Sequence, residues 1–519
     1  MTFGKRVLFI PLLLISPASA ATSNTDTLRD IAGRIGPIIG SASACEDIAR
    51  RRIQAMTDKF SQALREATVS EAERADLTRS LEAFAASGRK FVTSAQMDCK
   101  TAERQLAGLE KSMGSAPLSP PNPAPAASTL PSFGLSAATA APAPAGAVRG
   151  VSDREIRFGM VMPFSGARKE AGRQMKMGIE AAFNRTNDAG GIEGRMLRLV
   201  AADDGYEPSR TTEAMKQLYE KEQVFGFIGN IGTATSAVAI PYALERRALF
   251  FGPFTGASLV RHDPPDRYVF NYRASYAEET GALVRYLVKI RRLQPGQIAV
   301  LTQQDAFGDD GFAGVAKAFR TLGLNDGAIA RFNYTRNSID VDDAVNRLRA
   351  QKVPVKAVIM IATDRAAAKF IEKTRDLFPD MIYANVSAVG ASSLANELML
   401  LGARHAKGVI VTQGVPAASG FSSLVLEYKN ALAKYSAGEA PDYTSLEGYI
   451  SANILIQALK RTGPQLDTEK LIDTLEAMNS IDLGLGTTLS FGRAEHQASH
   501  KIWGTALDET GTYQALDLE

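Results

Sequence analysis

From Val151 onward, short apolar runs alternate with amphipathic helical stretches, and this alternation narrows the fold more than any other feature of the chain. The runs Ile156–Met162, Met196–Ala202, Phe225–Gly229, Ala248–Gly252, Gln297–Thr302, Ala357–Ala362, Met381–Val386 and Gly408–Thr412 read as strands. Helical periodicity fills most of the gaps between them. Such alternation builds a parallel sheet with helices on both faces. The segment 150–519 is too long for one such sheet around one core, so two α/β lobes are expected.

The chain before this segment has a different texture. Residues 1–20 carry Lys5 and Arg6, an apolar run from Val7 to Ile15, and the small residues Ala18-Ser19-Ala20. This is the pattern of a secretory signal peptide, and the apolar run is too short to span a bilayer. No cysteine follows the cleavage point, so the mature protein is expected in the periplasm without a lipid anchor. Residues 21–113 have helical spacing and almost no strand signal. Ser70 with Glu73 forms a capping box, so two long helices folding back at about Ser70 are expected. The two cysteines of the chain, Cys45 and Cys99, lie at similar distances from that turn. An antiparallel hairpin would bring them together, and an oxidising compartment would join them in a disulfide. Residues 114–149 are rich in Pro, Ala and Ser and read as an extended linker.

Several function classes find no support. A formal net charge of +3 gives no case for nucleic-acid binding. There is no GxxxxGK[ST] phosphate loop and no GxSxG elbow. The histidines are His262, His405, His496 and His500, and the last two lie between strand-like runs where a helical metal-ligand pair is not expected. The sequence therefore points to no catalytic residues, no metal and no cofactor. Asp203-Asp204 reads as a pair that caps a helix or lines a cleft.

In open α/β sheets, ligands sit at the carboxyl ends of strands. Two adjacent strand ends stand out here. Asn230-Ile231-Gly232-Thr233-Ala234-Thr235-Ser236 opens a helix, and Phe250-Phe251 runs into Gly252-Pro253-Phe254-Thr255-Gly256-Ala257-Ser258. A helix N-terminus offers free N–H groups and a partial positive charge, which suits a carboxylate. Helix capping would account for either loop alone. Two neighbouring loops of this kind point to a ligand, with Thr233, Thr235, Thr255, Gly256 and Ala257 as candidates.

Residues 151–519 resemble the periplasmic solute-binding proteins of ABC importers of the branched-chain amino acid type. The likeness rests on elements in order: Pro163-Phe164-Ser165-Gly166, Asn187-Asp188-Ala189-Gly190-Gly191-Ile192, Asp203-Asp204, Phe227-Ile228-Gly229, Gly252–Ala257, Arg273-Ala274-Ser275-Tyr276, Asp305-Ala306-Phe307-Gly308 and Ser445-Leu446-Glu447-Gly448-Tyr449. The resemblance implies a type I periplasmic-binding-protein fold of two Rossmann-like lobes joined by three crossings. Lobe 1 would hold about 151–275 and 416–487, and lobe 2 about 276–415 and 488–519. It also implies hinge closure on a small molecule and delivery to an ABC permease in the inner membrane. Thr233, Thr255 and Gly256 fall where members hold a ligand carboxylate. Phe307 falls where members cover the ligand with an aromatic, commonly a tyrosine. Thr363 and Ser387 stand where members place an aromatic and an acid for the ammonium, so Asp305 or Asp364 would have to take that role. A branched-chain amino acid is thereby in question, and a small carboxylate or amide stays open. The helical segment 25–113 lies outside the resemblance. It motivates a second reading, a ligand sensor or docking protein that engages a partner, or itself, through that segment.

Overall fold

The computed structural model describes residues 148–519 throughout and most of 32–110. The expected signal peptide, the turn at Ser70 and the linker up to residue 147 lie outside the described residues. The chain divides into two compact units, Met1–Ala137 and Ala138–Glu519.

In the first unit, α1 (Arg50–Ala67) and α2 (Glu71–Thr93) are long helices. Helical residues also occur at 38–43 and within 99–110, so the unit contains more helix than the expected hairpin. Its core takes Met56 and Phe60 from α1 and Leu77 and Leu81 from α2, each pair four residues apart on one helical face. Cys45 and Cys99 form the expected disulfide, with Cα atoms 5.6 Å apart, and both lie outside the two long helices. Arg52 adds a two-pronged contact to Glu110, at 2.8 and 2.7 Å.

The second unit begins with β1 (Glu155–Met162), α3 (Lys169–Asp188), β2 (Met196–Asp203), α4 (Pro208–Lys216), β3 (Gly226–Ile228), α5 (Thr233–Glu245), β4 (Leu249–Phe251) and β5 (Val269–Phe270). Next come α6 (Tyr276–Arg285), β6 (Ile298–Gln303), α7 (Ala306–Thr321), β7 (Ala330–Tyr334), α8 (Asp342–Arg349) and β8 (Ala357–Ile361). They are followed by α9 (Asp364–Thr374), β9 (Ile382–Asn385), α10 (Ala391–Leu401), α11 (Ala403–Ala406) and β10 (Ile410–Gln413). The chain closes with α12 (Ser423–Tyr435), α13 (Tyr443–Thr462), α14 (Thr468–Glu476), β11 (Trp503–Leu507) and β12 (Tyr513–Leu516).

Two sheets result, ordered β2-β1-β3-β4-β5 and β12-β11-β10-β9-β8-β6-β7. The first five strands of each repeat one order: second, first, third, fourth, fifth. Both are parallel over those strands. Strands β3, β4 and β8 are buried along their whole length, which is why they read as unbroken apolar runs. The second sheet departs from the expected all-parallel arrangement, because β11 pairs antiparallel with β10, and β12 with β11. Strands β7 and β12 carry partly exposed polar residues beside the apolar ones, and β11 leaves Trp503, Gly504 and Ala506 half-buried. Their alternation is too weak to have marked them as strands beforehand.

Helix α13 returns to cover the first sheet's helical layer by packing against α3. The two backbones approach closely because each presents a glycine. A Cβ on Gly178 would lie 1.8 Å from the Ser445 carbonyl oxygen, and one on Gly448 would lie 2.6 Å from that of Met175. Gly178→Ala must therefore push two buried helices apart. It is expected to lower stability by about 1–3 kcal/mol, read as a shift of the urea midpoint.

Candidate functional site

Because both sheets share one strand order, each has a switch point where chain direction diverges: beside β1 and β3 in one, beside β6 and β8 in the other. The loops at these carboxyl ends face one another. From the first sheet come Arg168 and Tyr206, the N-terminus of α5, and the loop after β4. From the second come Gln303, Asp305 and Phe307, then Thr363 and Asp364, then Ser387–Val389.

Most of the candidates named from sequence gather around one residue that was not, Tyr276. Thr233 and Thr255 share a hydrogen bond between their hydroxyls at 2.7 Å, and both are buried. The Thr255 hydroxyl lies 3.4 Å from the Tyr276 phenol. The Gly256 carbonyl accepts the Tyr276 backbone N–H at 2.7 Å, and a Cβ on Gly256 would meet the Tyr276 ring at 2.5 Å. The Ala257 N–H donates to the Thr255 hydroxyl at 3.2 Å. Phe307 sets its ring 5.2 Å from that of Tyr276. Thr235 does not join this group, since its hydroxyl donates to the Ile231 carbonyl one turn back at 2.5 Å. That bond removes it from the donors proposed to face a ligand.

A second group joins the two sides. The Arg168 guanidinium donates to the carbonyls of Val389 and Ala388, both at 2.8 Å, and to Asp364 at 3.3 Å. It also lies over the Tyr206 ring, 5.8 Å from its centre. Gln303 donates to the Tyr206 phenol at 3.4 Å, and Tyr334 donates to Gln303 at 3.1 Å. Thr363 donates its backbone N–H to the Tyr334 phenol at 2.9 Å. At the rim, Arg336 reaches Glu207 at 3.1 Å and Asp305 at 3.4 Å. Burial raises the Asp364 carboxyl, and Arg168 opposes that rise. The Asp203-Asp204 pair fastens loops: Asp203 accepts the N–H groups of Phe164 and Ser165, and Asp204 accepts Tyr206 N–H and the Thr211 hydroxyl. Burial lifts Asp204 to about 6.

Ser387 belongs to a third group, at the crossing between the two sheets. Its N–H and hydroxyl both donate to Glu279, at 2.7 and 2.9 Å, and it accepts from Arg273. It is turned into this network and away from the ligand role assigned from sequence. Arg273 is fully buried, 3.5 Å from Glu447 on α13, 4.0 Å from Glu279 on α6, and stacked 4.4 Å from the centre of the Phe254 ring. Its second partner was hidden because Glu279 lies within a helix, where a lone acid carries no motif. Arg168 lies two residues beyond the loop motif that drew attention, and Tyr334 ends a strand that was not recognised. Among the described residues, no group of three or more His, Cys, Asp or Glu side chains is placed to hold a metal.

A family model described as "Periplasmic binding protein" matches residues 155–512. The chain belongs to the periplasmic binding protein family. A crystal structure of "a possible leucine/isoleucine/valine-binding protein" from Rhodopirellula baltica is 36% identical with a TM-score of 0.67, covering 70% of this chain and 97% of that one. The "Leu/Ile/Val-binding protein homolog 3" of Brucella melitensis is 24% identical, over 64% of this chain and 86% of its own length. A Thermus thermophilus branched-chain amino acid transporter protein solved with valine shares the fold at 18% identity and a TM-score of 0.60, covering 71% of this chain and 96% of that one. The fold is thus the type I periplasmic-binding-protein fold.

The crossing network also sets a pH dependence. Burial lifts the Glu447 carboxyl to about 7 against the pull of Arg273, above its ordinary value of 4.5. An acid raised on folding favours the protonated folded state, so its charged form costs stability as pH rises from about 4.5 through 7. Relative to Glu447→Gln, the wild type is expected to lose up to about 3 kcal/mol between pH 5 and pH 8. Parallel urea titrations of the two proteins at both pH values measure this difference.

Proposed function

We propose that the protein is a periplasmic solute-binding protein that holds an amino acid or a small carboxylate or amide between its two sheets and delivers it to an ABC permease. It acts by binding rather than by catalysis. The observation that carries this reading is the convergence of Thr233, Thr255, Gly256, Tyr276 and Phe307 where the two switch points meet. A family relationship over residues 155–512 supports it, as do relatives whose names record leucine, isoleucine and valine binding. The signal peptide expected at residues 1–20 agrees with a periplasmic location. Contacts such as Arg168 with Asp364 join the two sides directly, which fits a cleft that closes over its solute by a hinge.

Because the Thr233 and Thr255 hydroxyls bond each other, replacing both by valine leaves neither with a lost partner in the other. The double variant is expected to keep its circular dichroism spectrum and bind solute more weakly by about 1–3 kcal/mol per lost hydrogen bond. Titration calorimetry on wild type and variant decides it. Unchanged affinity would remove these loops from the site.

A further inference from the structure

We infer that the solute carries a carboxylate and no ammonium group. This narrows the solute-binding reading and rests on it. An ammonium ion enclosed between two lobes needs an acceptor carboxylate, because an unpaired buried charge is strongly unfavourable.

Each acid near the cleft already has partners. Glu279 accepts from the Ser387 N–H, the Ser387 hydroxyl and Thr412, and lies beside Arg273. Asp305 accepts the Phe307 N–H at 3.0 Å on one oxygen, and Gln303 at 2.7 Å and Arg336 at 3.4 Å on the other. Asp364 is paired with Arg168. Ser387 is committed to Glu279 through its N–H and its hydroxyl. The two acids proposed as substitutes from sequence, Asp305 and Asp364, are therefore both engaged by arginine.

Donors, by contrast, are in supply. The N-terminus of α5 stands at Thr233, beside the Thr255 hydroxyl and the Tyr276 phenol. The Arg168 side chain is 5% exposed, and its Nε has no hydrogen-bond partner. A guanidinium N–H left buried and unpaired is a group that a carboxylate would satisfy. The surrounding rings of Phe307, Tyr276 and Tyr206 suit an apolar body behind that carboxylate.

The test uses the full chain, unfolded and refolded to strip bound solute, in titration calorimetry with matched pairs. One pair is L-leucine and 4-methylpentanoate, the other L-phenylalanine and 3-phenylpropanoate, with 3-phenylpropanamide as a neutral control. At least one des-amino acid is expected to bind tenfold or more tightly than its amino acid partner and than the amide. An amino acid binding as tightly as its des-amino partner, or binding of the amide alone, would overturn the inference and leave the solute-binding reading standing. If no member of the series, nor a broader panel of amino acids, carboxylates and amides, binds to the folded protein, the solute-binding reading fails and the inference fails with it.

Discussion

The second unit turns on a single buried cation. Arg273 lies on the first passage of chain between the two sheets and has lost nearly all contact with water. Such a charge is tolerable only if compensated, and its compensation comes from both sides: Glu447 from the helix that covers the first sheet, Glu279 from the helix that leads into the second. The three crossing segments meet in the same region. Asn271 donates its N–H to the His496 carbonyl and accepts the Ala498 N–H across it, and Gly414 lies against Arg273. The arrangement ties the two sheets together at the crossing.

What lies at those ends follows from topology. Two sheets with one strand order, joined by this network, turn two equivalent switch points toward one another. The cleft is the space between two carboxyl-end loop sets, and no dedicated insertion is needed to build it. The side chains in it are mostly neutral donors, with phenols and hydroxyls outnumbering free charges. Its arginines pair with acids on other loops, Arg168 with Asp364 and Arg336 with Glu207 and Asp305.

Much of this was legible in the sequence, for a physical reason. Buried parallel strands such as β3, β4 and β8 must be apolar throughout, so they announce themselves. The loops at their ends can be read for hydroxyls and small residues, which singles out Thr233, Thr255 and Gly256, and the structure groups these three around Tyr276. Directions could not be read: Thr235 and Ser387 have the right chemistry at the right positions, but one bonds its own turn and the other bonds Glu279. Edge strands with polar residues on one face stayed hidden, and Tyr334 was lost with β7. The disulfide was legible because it needs only the fold-back of a helical segment, a local matter. Arg168 was not, because its partners Asp364, Ala388 and Val389 lie far along the chain.

The packing of α3 against α13 carries a kinetic consequence. Arg185 and Asn453, which bond across the interface of these helices, are separated by 268 residues of sequence. Until α13 has emerged, the apolar face of α3 has no cover, whatever strands have already paired beneath it. Closing so long a loop is slow relative to forming local helices and hairpins. A chain made from its N-terminus therefore spends the stretch between Phe270 and Asn453, about a third of its 519 residues, with the first sheet complete in sequence but open on one side. During that interval it is a client for whatever holds unfolded chains apart, and its exposure to aggregation is set by when residue 453 arrives rather than by the stability of the finished fold.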